Sequence, residues 1–83
     1  MESMIGEIKL FAGNFAPRGW LLCNGELLSI TQHIAMFSIL GTMYGGDGRS
    51  SFALPNMNSV PDSDGKGESH YIICTHGIFP SRN

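Results

Sequence analysis

Residues 70–76, HYIICTH, bring two histidines and a cysteine within one short run. If that run is a continuous strand, His70, Cys74 and His76 alternate onto one face, because successive side chains of a strand point to opposite sides. Imidazole and thiolate are zinc ligands, so a symmetric oligomer could assemble a site from several copies. The competing reading is a small buried hydrophobe at Cys74. Used as a nucleophile, Cys74 would need a histidine base, a pocket and an oxyanion donor, and nothing in the sequence identifies them. No catalytic, cofactor-binding or resident metal site is therefore expected. The other cysteine, Cys23, permits at most one internal bridge, to Cys74, if the two strands are neighbours and the setting is oxidising.

Two loops carry anion-like or cation-like signals. TMYGGDGRSSFALP, residues 42–55, combines a glycine cluster with Asp47, Arg49 and two serines. A phosphate loop needs glycine five residues before the glycine of its G-K-[ST] end, and Met43 stands there. The apolar periodic segment also precedes the glycines, so they follow a helix C-terminus and not a positive N-terminus. A connector is the better reading. DSDGKG, residues 62–67, opens like a calcium loop but places Lys66 at its fifth position and Ile73 at its twelfth. Solvated turn residues are expected there. Trp20 and Tyr44 could stack on a sugar with Arg49 nearby, yet aromatics beside tight turns are more often core anchors.

Eighty-three residues with a formal charge of −2 make one small domain whose private core is marginal. Five Lys and Arg, spread from Lys9 to Arg82, provide no basic stripe, which excludes a nucleic-acid partner. The start, MESMIGEIKL, lacks a cationic region followed by a long apolar stretch, so neither a signal peptide nor a membrane span is expected. Eleven glycines with only 14% charged residues suit short strands and tight turns.

The elements that must position these residues follow from periodicity. Residues 6–12 alternate, with Ile8 and Leu10 on one face and Glu7, Lys9 and Phe11 on the other, as in a half-buried strand. Residues 20–23 and 26–28 flank Asn24-Gly25, which predicts a hairpin with a type I′ turn. A helix is expected over 31–40, capped by Ser29 or Thr31, with Ile30, Ile34, Phe37 and Leu40 inward and Gln32, His33 and Ser38 outward. Gly41 suits the left-handed position beyond its last turn. A short edge strand at Phe52 and Leu54 ends at Pro55. Residues 58–69 read as an exposed connector without period, and 70–83 as a closing strand and tail. The fold class is α+β: a β-rich domain of short antiparallel strands with one helix.

Three motifs now stand in order: A-P-x-G-W at residues 16–20, C-[DN]-G at 23–25, and L-G-T-x-Y-G-G-D-G-x-x-x-F-x-L-P at 40–55. On them, residues 6–57 resemble the phage tail-collar domain, and specifically the branch termed microcystin-dependent proteins. The ending YIICTHGIFPSRN is similar to that branch as well. The resemblance implies a β-rich module of tail fibres, commonly trimeric or interlocked, with structural and receptor-contacting roles and no catalysis. It also implies that the glycine-rich segment is a connector into the F-x-L-P strand. Family members usually continue after L-P with an Arg-Gly-Arg-like stretch and a long receptor-reading region, whereas here only residues 58–69 intervene. Some short fibres hold a metal through a His-x-His pair; His70 and His76 are six apart, so that metal is not carried over.

A marginal core and exposed strand edges predict burial against copies of the same chain. The expected assembly surface is Ile5, Ile8, Leu10 and Phe11 at the start, and Tyr71, Ile73, Ile78, Phe79 and Arg82 at the end, with both termini tied down by assembly. The product is a fibre or filament of a virion tail or an extracellular appendage. The alternative is adhesion to a cell-surface glycan or receptor through Trp20, Tyr44 and Arg49.

Overall fold

The structure, a computed structural model, describes residues 3–80. Seven elements follow in order: β1 (Ile8–Phe11), β2 (Trp20–Leu22), β3 (Leu27–Ser29), α1 (Ile34–Leu40), β4 (Ser51–Ala53), β5 (Val60–Pro61) and β6 (Glu68–Cys74). β6 is the centre of a four-stranded antiparallel sheet, with β1 on one side, β2 on the other and β5 on its first residues. β3 and β4 form a separate antiparallel pair. The β-branched run Ile72-Ile73 explains the central place of β6, because both faces of that strand are covered and both residues are fully buried.

The register divides the four-stranded sheet into two faces. Ile8, Tyr71, Ile73 and Leu21 share one, since directly paired residues point the same way. That face meets the main core of Cys23, Leu28, Met36, Phe52, Leu54 and Ile73. Burying a side chain such as Phe52 or Leu54, each at 0% exposure, contributes about 1.5–3 kcal/mol. Leu10 shares this face by parity but lies at its rim, so it is exposed where alternation predicts burial. The opposite face carries Ile72 and Cys74. Lys9 Nζ sits 4.5 Å from the Trp20 ring centroid, and because those residues belong to the strands flanking β6, the lysine stem straps the central strand.

Several local expectations are corrected. Residues 20–28 are not a hairpin: β2 pairs with β6, and β3 pairs with β4 in the other sheet. A type I′ turn needs positive φ at both central residues, and only Gly25 has it. Asn24 instead uses its Oδ1 to accept the Glu26 N–H at 3.1 Å, while Gly25 N–H donates to Pro55 O, which turns the chain from one sheet into the next. The helix begins at Ile34 with His33 at its N-cap and no side-chain cap; Ser29 and Thr31 lie ahead of the cap position, their hydroxyls bonded to each other at 3.0 Å. The inward stripe centres on buried Met36 and so takes in His33, Phe37 and Leu40. Ile34 is exposed, and His33 meets the Phe52 ring edge-on at 6.5 Å. Gly41 ends the helix at positive φ and donates to Phe37 O, but its ψ of −143 lies outside the left-handed helical region that the pattern predicts. Residues 58–69, though exposed, are not structureless, since Val60 and Pro61 pair with Ser69 and Glu68 to make a hairpin around residues 62–67.

Candidate functional site

The glycine-rich loop after α1 is built by one carboxylate. Asp47 Oδ1 accepts the N–H groups of Arg49 at 2.9 Å, Ser50 at 2.9 Å and Ser51 at 3.0 Å, and Oδ2 accepts the Ser50 hydroxyl at 3.0 Å. The Ser50, Arg49 and Ser51 amides hold the Asp47 carboxyl well below the usual carboxylate range, with the Ser50 hydroxyl assisting. Gly46, at φ +94, lies against β4: a Cβ there would fall inside the contact distance of Phe52 Cα and 2.6 Å from Ser51 O. The loop also edges β4, since Ala53 N–H donates to Gly45 O and Gly48 N–H to Ser51 O. The backbone N–H groups of Gly45 and of residues 47–51 are thus consumed internally, so the geometry is that of a structural brace. Sequence reasoning saw the Asp-Gly signal but not the brace, whose readable trace is an aspartate followed within four residues by serines.

The ligand-contact residues do not form one site. Trp20 is half-buried in the four-stranded sheet with Lys9 over its ring. Tyr44 and Arg49 are exposed on the connector into the other sheet.

The metal and thiol readings separate in space. β6 ends at Cys74, so His76 is not on the same strand face, and the Cys74 thiol points to His76 O at 3.5 Å. His70 Nδ1 donates to Gly13 O at 3.1 Å, with Glu68 Oε1 3.5 Å from its Nε2. Among the described residues no group of three or more His, Cys, Asp or Glu is placed to hold a metal. The bridge is corrected too, since Cys23 and Cys74 are both free and buried. β2 and β6 are neighbours, but the register puts Cys23 opposite Tyr71 and Trp20 opposite Cys74, so the cysteines sit on opposite sheet faces, about 10 Å apart along the strand. Burial pushes the Cys23 thiol up to about 11.

One open cleft of about 420 Å³ lies between residues 32–36 and 75–77, with Ile5 and Met36 beside His33 and His76. Thr75 Oγ1 bonds His76 Nδ1 at 2.9 Å. Its two walls are some forty residues apart in the chain, so no local pattern signals it.

The residues expected at an assembly surface fall into two sets. Ile73 is fully buried, and Ile5, Ile8 and Tyr71 pack against the core. The first and last segments pair with each other: Ile5 N–H donates to Ile78 O at 2.8 Å and Ile78 N–H to Ser3 O at 3.0 Å. Leu10, Ile78 and Phe79 remain exposed, and half-buried Phe11 stacks edge-on with exposed Phe15 at 5.7 Å. Arg82 lies outside the described residues.

No helix among the described residues is long and apolar enough to cross a membrane. Residues 6–61 match the family described as Phage Tail Collar Domain. That match is to the family as a whole and carries no branch assignment. Comparisons with curated proteins and with solved structures gave no match. The family is a structural one of phage tails and not a family of enzymes, and it implies a place in a virion tail or an extracellular appendage beside other tail proteins. A β-rich chain whose glycine loop braces the F-x-L-P strand, matched over two-thirds of its length, belongs to the phage tail collar domain family.

Proposed function

We propose that this chain is a non-enzymatic subunit that associates with copies of itself to build a fibre or filament of a phage-tail-like or cell-surface appendage. The observation that supports it is a surplus of apolar surface. Nine hydrophobic residues are buried among those described, while eleven large ones, from Met4 to Phe79, are exposed. Scattered exposed leucines are ordinary, but a surplus over the core itself marks surface that association covers. Sedimentation and electron microscopy of the purified chain test the reading. Particles many times larger than 9.0 kDa are expected, and a monomer at micromolar concentration overturns it.

Adhesion is the second reading, supported by Tyr44, exposed on a loop that Asp47 holds rigid. Glycan-array binding lost in Tyr44→Ala with particle size unchanged would favour it. Binding indifferent to Tyr44→Ala and to Arg49→Ala would remove it.

A further inference from the structure

Strand edges of this chain differ in what they leave unpaired. In an antiparallel ladder, alternate residues turn their N–H and C=O groups toward one neighbour or the other. Cys74 N–H donates to Glu7 O, so Lys9 and Phe11 face β6 and the groups of Ile8 and Leu10 face outward. Leu54 N–H donates to Glu26 O and Ile30 N–H to Ser50 O, so Leu28 faces β4 and the groups of Leu27 and Ser29 face outward.

The remaining edges are closed by the chain itself in part, β2 at two of its four outward groups and β4 and β5 more fully. On β2 the outward Trp20 N–H donates to Pro17 O, and Leu22 O accepts Asn24 N–H. On β4 the outward groups of Ser51 and Ala53 bond Asp47, Gly48 and Gly45. On β5 Val60 pairs inward with Ser69, leaving Pro61, which has no N–H, as the outward residue. An edge with all its outward groups open, beside edges the chain has wholly or partly blunted, is a template for strand addition.

From this pattern we infer that copies join head to tail, the outer edge of β1 in one chain pairing antiparallel with the outer edge of β3 in the next. The inference rests on the self-association proposed above and names the contact that carries it. Each edge offers two outward residues spaced by two, so one fully overlapped antiparallel register forms four hydrogen bonds. That register sets Ile8 opposite Ser29 and Leu10 opposite Leu27 of the next copy. Leu10 and Leu27, 46% and 62% exposed in the single chain, then cover each other. Lys9 stands opposite Leu28 of the next copy, its side chain remaining strapped across β6 onto Trp20.

The two symmetric alternatives are poorer. Pairing β1 with β1 in the register that uses both outward residues is centred on Lys9, sets each Leu10 against half-buried Ile8 and leaves exposed Leu27 uncovered in both copies. Pairing β3 with β3 is centred on Leu28 and leaves each Leu27 against Ser29. A contact between unlike edges also leaves one free edge at each end of the growing chain, which is the condition for an open filament.

Cross-linking of full-length chains tests the pairing. Chain carrying Leu10→Cys is mixed with chain carrying Leu27→Cys under mild oxidant, with the native thiols buried and wild type as the control. A hydrogen-bonded pair places Cα atoms about 5.5 Å apart, within disulfide reach. Expected are disulfide dimers holding one chain of each kind, and a ladder of covalent multimers from Leu10→Cys/Leu27→Cys. Leu10→Pro removes an outward N–H without touching the β1–β6 ladder, and should weaken self-association roughly tenfold while the melting of the monomer is retained. Dimers formed only between identical variants overturn the pairing and point to a symmetric contact. Absence of cross-links, with wild type still multimeric, overturns the pairing and leaves self-association standing. A wild type that stays monomeric removes both.

Discussion

Two loops of this protein have nearly the same composition and opposite fates. Residues 45–51 and 62–67 each mix aspartate, glycine, serine and one basic residue. In the first, Asp47 gathers three backbone amides and Gly46 lets the chain press onto Phe52. In the second, Asp64 accepts one amide, from Lys66, the Gly65 N–H donates to Asp62 O, and a side chain at Gly65 would meet nothing. The difference is not in the loops but in what lies behind them. One rests on β4, which carries the fully buried Phe52; the other closes a two-residue hairpin in solvent.

If that contrast is correct, substitutions at equivalent residue types should diverge. Gly46→Ala is expected to be the most damaging, because positive φ and a clash with backbone at Phe52 and Ser51 act together. A loss of about 3 kcal/mol, or roughly 12–24 °C in Tm, should appear in thermal unfolding followed by circular dichroism. Next comes Asp47→Ala, which strands three amides. Its Tm should fall by less than that of Gly46→Ala, and Asp47→Asn, which keeps an acceptor oxygen, should recover part of the difference.

The Asp47 contribution has a defined pH dependence. Its folded-state pKa is depressed, so between that value and the ordinary carboxylate value near about 4 the unfolded chain binds more protons than the folded one. The stabilisation is therefore complete above the unfolded value and is lost as pH falls through the folded value. Urea midpoints of wild type and Asp47→Asn should differ at pH 7 and converge progressively below about pH 4. A difference constant from pH 7 to pH 2 would mean the brace does not depend on charge.

In the solvent hairpin the effects shrink. Gly65→Ala has space but a left-handed φ of +73, which predicts a loss of about 1 kcal/mol. Asp64→Ala should stay within about 0.5 kcal/mol of wild type in the same assay. Equal effects at Gly46 and Gly65 would erase the distinction between brace and hairpin.

Legibility in the sequence followed how far each signal reaches. Strand β1, the helix with Gly41 at its end, the short strand at Phe52 and the closing strand all rest on patterns within about ten residues, and all are present. The Asn24-Gly25 segment misled because turn propensity names a bend and not the strands that flank it; Asn24 satisfied its neighbour at negative φ and sent the chain to another sheet. His33 and Ile34 exchanged faces because the stripe centres on buried Met36, which at about 100° per residue puts His33, Phe37 and Leu40 beside it and turns Ile34 outward. The unsignalled items are those joining distant segments: the Lys9 strap over β6, and the cleft between residues 32–36 and 75–77.

What residue order alone determined was the α+β class, the tail-collar kinship and which stretches are apolar enough to be inside, because side-chain periodicity and local motifs are properties of neighbours in the chain. Which strand meets which, which face each cysteine takes, and which edges stay open were decided only in three dimensions. Hydrogen-bond parity is set jointly by two strands, and one strand's residues hold no record of its partner's register.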